Sequence, residues 1–140
     1  ARFFRTVLGF EMRREFVFQS KGPNGGMRLP PKTDVKFQQW FAPGARTGYL
    51  VIMDLLNAGK SAPAALGPGS VGLAMWTFET ADLAAVRRRA ASIGTKEIAA
   101  PTRIDVPGIG PALSMIVATP DGFPVEIVQR VAPARCGRGA

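Results

Sequence analysis

The chain of 140 residues contains no histidine and a single cysteine, Cys136. The first absence removes Ser-His-Asp and Cys-His catalysis, histidine-ligated metal and histidine acid–base work. The second excludes an internal disulfide and any metal site built on several cysteines. Cys136 lies in a basic, glycine-containing tail, Ala134-Arg135-Cys136-Gly137-Arg138, and reads as an exposed and incidental thiol. Long apolar runs are also missing. The longest, Tyr49 to Leu56, is strand-length and contains Asp54, far short of the roughly 18 residues that cross a bilayer. No membrane partner is expected. Nor is a secretory signal, because Ala1-Arg2-Phe3-Phe4-Arg5 opens directly in a periodic segment, and the expected compartment is the cytoplasm.

What is present is 46% hydrophobic and 20% charged residues, the balance of a globular domain large enough to bury a core. The net charge of +8 raises the question of a polyanion. The basic residues are scattered, however. Their one run, Arg87-Arg88-Arg89, falls in a helical segment, where three successive residues spread around the circumference. A solvated helix face is the simpler reading, and nucleic acid is not an expected partner.

The last third of the chain is the most legible. Thr119-Pro120-Asp121-Gly122 is a tight-turn sequence, because Pro presets φ and Asp and Gly tolerate the bend. It separates Leu113-Ser114-Met115-Ile116-Val117 from Val125-Glu126-Ile127-Val128-Gln129, two β-rich runs that read as a hairpin. Alternation puts Glu126 on the face opposite Val125 and Ile127, beside Val128. A carboxylate inside an apolar strand is costly unless the fold pairs it or uses it. Glu126 is therefore either a buried carboxylate paired with an arginine or backbone donors, or a ligand-binding or metal-binding group.

Upstream, Phe3, Phe4, Val7 and Leu8 form a helical stripe that Gly9 ends. Strands are expected over Phe10–Gln19, Val35–Ala42 and Tyr49–Leu56, with a loop over Ser20–Thr33 and an Ala/Gly/Pro-rich linker from Asn57 to Ser70. A strand over Val71–Glu79 follows. Then comes a helix with Thr80 as N-cap, Asp82 in its first turn and the stripe Leu83, Val86, Ala90 and Ile93, stopped by Gly94. A strand over Thr95–Val106, interrupted near Pro101, and a turn at Pro107–Pro111 lead into the hairpin. Because the chain opens in mid-helix without a cap, roughly 15–20 further residues, enough for one strand and a helical turn, are expected before Ala1.

The two halves follow one plan. A helix ends in Leu8-Gly9 or Ile93-Gly94, three strands follow, and the last holds Met53-Asp54-Leu55-Leu56 or Val125-Glu126-Ile127-Val128. Such a repeat makes paired modules, β-α-β-β-β twice once a front strand is supplied. The module boundaries are 1–57 and 71–131, with a linker over 58–70 and a basic tail over 132–140.

Three segments carry a specific resemblance. Ala1-Arg2-Phe3-Phe4-Arg5-Thr6-Val7-Leu8-Gly9-Phe10 resembles the "FY…vLGF" signature of the glyoxalase/bleomycin-resistance/dioxygenase superfamily, also called the vicinal oxygen chelate proteins. Met75-Trp76-Thr77-Phe78-Glu79-Thr80-Ala81-Asp82-Leu83 resembles its "HiaFeVaDl" segment. Thr119-Pro120-Asp121-Gly122 with Val125-Glu126-Ile127 resembles its "DPdG…vEl" ending. The resemblance implies an α+β fold in which two βαβββ modules form a half-open, mixed-sheet cleft, and a homodimer.

It also implies a small-molecule ligand held in that cleft and, in many members, one divalent metal such as Fe, Mn, Ni or Zn. Carried over by position, Glu126 and Asp54 are the metal carboxylates, and Glu126 is the catalytic group. Met75 stands where the family usually has histidine, and a thioether is a poor ligand for such metals. Met75, Thr77 and Trp40 are the candidates to line the cleft, with the core as the alternative place for Met75 and Trp40. The implied function is a metal-assisted lyase or isomerase, or a dioxygenase, the metal acting as a Lewis acid. The alternative is a metal-free protein that binds or sequesters a small molecule such as an antibiotic.

Overall fold

Local sequence accounts for most of the secondary structure. The protein is described by a computed structural model covering residues 2–22, 29–57 and 75–131. The expected linker over 58–70, the start of the strand expected from Val71 and the tail over 132–140 lie outside these described residues. The fold is α+β with two open sheets, and the chain divides into two compact units, Ala1–Pro63 and Ala64–Ala140.

In the first unit, helix α1 (Arg2–Thr6) is followed by strands β1 (Glu11–Gln19), β2 (Asp34–Phe41) and β3 (Tyr49–Leu55). The three strands form an antiparallel sheet in the order β1-β2-β3. The α1 stripe is buried at Phe3, Phe4 and Val7. Gly9 closes the helix at φ +71°, its amide donating to the Arg5 carbonyl at 3.1 Å. Period-2 alternation along β2 sorts its residues by face. Lys36, Gln38 and Trp40 share a face with Asp54, Ile52 and Leu50 of β3, and Phe37 lies opposite Met53 and Phe16 on the other. Phe4 and the Arg5 guanidinium both lie against the Trp40 ring, at 6.4 and 5.6 Å, so the Trp40 face is the helix side.

In the second unit, β4 (Trp76–Glu79) leads into α2 (Leu83–Ser92), β5 (Glu97–Val106), β6 (Gly110–Ala118) and β7 (Pro124–Arg130). The sheet order is β4-β7-β6-β5, with β4 parallel to β7 and the other pairs antiparallel. The turn at Thr119–Gly122 joins β6 to β7. The Gly122 amide donates to the Thr119 carbonyl at 2.9 Å, and the Thr119 hydroxyl accepts from the Phe123 amide. Pro101 sits on edge strand β5, where a missing N–H is tolerated, and the β5–β6 register slips between Ala99 and Thr102.

The N-cap of α2 differs from expectation. Asp82 caps the helix, its Oδ1 accepting from the Ala85 amide at 2.8 Å, while the Thr80 hydroxyl accepts from the Asp82 amide. A carboxylate at this position adds its charge to the cap, favourable at the positive end of the helix dipole. The Gln129 side chain of β7 accepts from the Leu83 amide at 2.8 Å, which identifies the helix side of this sheet. Val125 and Ile127 share that face and are fully buried, as are their cross-strand partners Val117 and Met115. Arg87 is tied to Glu97 by two hydrogen bonds of 2.7 and 2.9 Å, which raises its pKa further above the physiological range. That pairing accounts for one member of the arginine run as a surface ion pair.

Candidate functional site

The face of the second sheet that points away from α2 carries the chemistry. Alternation along β7 places Glu126, Val128 and Arg130 there, and the parallel register sets Thr77 beside Glu126 and Glu79 beside Val128. The antiparallel register brings Ser114 and Ile116 of β6 onto the same face. These strands floor a cavity of about 220 Å³. Its wall is apolar, formed by Ile104 and Val106 of β5, Ile109 of the β5–β6 turn, and Val128. Its polar groups are Thr77, Glu79, Glu126 and Arg130.

Each oxygen of Glu126 accepts one hydroxyl hydrogen. Thr77 Oγ1 donates to Oε2 at 2.8 Å and Ser114 Oγ to Oε1 at 2.7 Å. The half-buried carboxylate is thus held by neutral donors, rather than by the arginine or backbone amides of the structural alternative. At the rim, Arg130 and Glu79 form a forked ion pair, with Nε–Oε1 at 2.8 Å and Nη2–Oε2 at 2.9 Å. Both side chains are exposed, so the fork positions charge at the rim more than it stabilises the fold.

The structure gathers only some of the residues expected from sequence. Glu126 and Thr77 come together in the cavity. Met75 precedes β4, is 36% exposed and does not line the cavity. Trp40 belongs to the first unit and is 1% exposed, packed on Phe4 and Arg5, with its indole nitrogen 3.4 Å from the Gln38 amide oxygen. Asp54 also belongs to the first unit; it is exposed and lies opposite Lys36 on the helix side of that sheet, whereas Glu126 lies on the face away from the helix of its own.

Ser114, Arg130 and the isoleucines of β5 and its turn were not singled out from sequence. Ser114 had a signal: it is the lone hydroxyl in an apolar run, and counting back from the Thr119–Gly122 turn puts it on the Glu126 face. The Gly108-Ile109-Gly110 turn carried none.

A second polar cluster lies in the first unit, where the Gln38 amide donates to Glu15 and Lys36 Nζ stands 3.2 Å from the same carboxylate. The Gln38 hydrogen bond, then Lys36, hold the Glu15 carboxyl below the ordinary carboxylate range. A lowered folded-state value means that the unfolded chain binds the extra proton first, so the contribution is complete above about pH 4.3 and is lost as pH falls through the folded value. Replacing Gln38 with Ala is expected to return the Glu15 titration midpoint, read by carboxyl NMR, toward that ordinary value. An unmoved midpoint would contradict the assignment.

The divalent metal implied by resemblance does not fit these residues. Such a site takes at least three hard or borderline donors. Among the described residues, no group of three or more His, Cys, Asp or Glu side chains comes together. Glu126 is engaged by two hydroxyls, Glu79 by Arg130, and Met75 offers only a thioether.

Comparison with known proteins agrees with the topology. The structure is similar to a glyoxalase family protein from Bacillus cereus, with TM-score 0.67, 10% identity, and coverage of 86% of this chain and 77% of that one. It is similar to glyoxalase I from Zea mays, with TM-score 0.61 and 15% identity, covering 93% of this chain but 39% of the longer plant enzyme. TioX from Micromonospora sp. ML1 is similar at TM-score 0.51 and 10% identity, with 92% and 85% covered. At such identities the likeness is one of fold, and no curated protein matches the chain in sequence. The family question is decided by the sequence signature of one superfamily, which runs through α1, both sheets and Glu126, over residues 1–127. The chain belongs to the Glyoxalase/Bleomycin resistance protein/Dioxygenase superfamily.

Proposed function

We propose that this superfamily member binds a small molecule without a resident metal, in the cavity on the helix-free face of its second sheet. The observation that carries this reading is the state of Glu126, whose two oxygens are each satisfied by a neutral hydroxyl. A carboxylate so held is oriented toward the cavity as an acceptor for a ligand. The metal-assisted lyase, isomerase or dioxygenase reading asks for two or more further ligands around Glu126, and among the described residues the cavity supplies none that is uncommitted. Sequestration of a compact, partly apolar compound suits a mostly apolar wall with one oriented acceptor. At about 220 Å³ the cavity is smaller than the roughly 300–1,000 Å³ of drug-sized sites, so it takes a one-ring compound or one ring of a larger ligand.

A homodimer belongs to the same reading. Among the described residues, the exposed Phe16, Tyr49, Met53 and Leu55 share the helix-free face of the first sheet, an apolar surface that a second copy would cover.

The binding reading is tested by NMR titration of the full chain with one-ring aromatic compounds, with and without EDTA. Binders are expected to shift the amides of Thr77, Glu126 and Val128 equally in both conditions. Binding that appears only after a divalent metal is added would overturn the reading.

A further inference from the structure

We propose that the cavity of the second unit selects a monocationic ligand, with an amidinium or ammonium group seated on Glu126 and a compact apolar body against Ile104, Val106 and Ile109. This rests on the binding reading above and adds the charge of the ligand to it.

The local charge balance of the cavity sets this preference. Three ionisable side chains line the cavity: Glu79, Glu126 and Arg130. Arg130 and Glu79 compensate each other through the two-pronged contact at 2.8 and 2.9 Å. That leaves the charge of Glu126 facing the cavity with no cation against it among the described residues, since its partners are the hydroxyls of Thr77 and Ser114. An ionised carboxylate offers about four lone-pair sites, and two are taken. The remaining two suit the N–H donors of a cation, which form shorter and stronger bonds to a carboxylate than neutral donors do.

An anion would meet the opposite situation. Among the described residues, the cation lining the cavity, Arg130, is already bound to Glu79, and Glu126 would repel the newcomer. The net charge of the chain is +8, so long-range attraction favours anions, not cations. Preference for a cation must therefore come from Glu126 itself. The apolar side chains lining the rest of the cavity make a bare inorganic cation a poor match, because they offer no oxygen to replace its hydration.

Benzamidine, benzamide and benzoate form a matched set of similar shape carrying +1, 0 and −1 charge. Calorimetric titration of the full chain at neutral pH is expected to rank them in that order, with benzamidine about tenfold tighter than benzamide. Glu126→Gln is expected to reduce that ratio to about twofold or less. Equal affinity of the wild type for benzamidine and benzamide would overturn the charge assignment and leave the binding reading standing. This comparison needs no variant, so it holds even if the substitution disturbs folding. Benzamidine shifts outside the cavity residues, or no binding of any of the three at millimolar concentration, would overturn the proposal. Stoichiometric uptake of a divalent metal that Glu126→Gln abolishes would overturn it together with the binding reading.

Discussion

Trp40→Ala is expected to destabilise the protein by about 3–5 kcal/mol, the range for truncating a buried large aromatic side chain. The indole is 1% exposed and touches Phe4, the Arg5 guanidinium and Gln38, linking α1 to the middle strand of the first sheet. Removing it opens a void that a five-residue helix is poorly able to fill by moving. Urea denaturation read by far-UV circular dichroism measures the loss. A near-normal midpoint combined with lost ligand binding would instead make Trp40 a cleft residue.

The second large effect contrasts two neighbours. Ile127→Ala is expected to cost about 2–5 kcal/mol, because the side chain is fully buried on the helix side of β7, opposite Met115. Glu126→Gln, one residue away, is expected to cost no more than about 1.5 kcal/mol. The amide keeps one oxygen to accept from Thr77 or Ser114, and the serine and threonine hydroxyls rotate to suit the new donor. The same two variants should reverse order in ligand binding, where only Glu126→Gln is expected to abolish the preference for a cation. Comparable stability losses from both would mean that Glu126 is a structural group of the core, and the proposed site would lose its central residue.

Much of the fold was legible because the signals are local. Gly9 and Gly94 end their helices at positive φ, where a side chain would strain the backbone. The Thr119–Gly122 turn fixes the β6–β7 register and with it the face of Glu126. The repeat and the superfamily signature gave the order of elements, and the family match bears that reading out.

The site was less legible, because it depends on register between strands distant in sequence. Arg130 meets Glu79 across 51 positions, and Thr77 meets Glu126 across 49, through the parallel β4–β7 pairing that no local pattern specifies. Asp54 was matched to Glu126 by its place in the repeat. Only the Lys36 to Asp54 register reveals that it lies on the helix side of its sheet. Thr80 and Asp82 are both good caps, and the choice between them was made by the pairing of β4 with β7, which holds Thr80 through its amide to the Val128 carbonyl.

The central claim is that Glu126 serves a ligand rather than a metal. Elemental analysis by mass spectrometry tests it most directly, on untagged full-length protein purified without chelator and incubated with iron, manganese, nickel and zinc, with Glu126→Gln alongside. The account predicts well under one metal per chain in both proteins. One tightly held metal per wild-type chain, absent from Glu126→Gln, would contradict it and make the metal-assisted enzyme the primary reading.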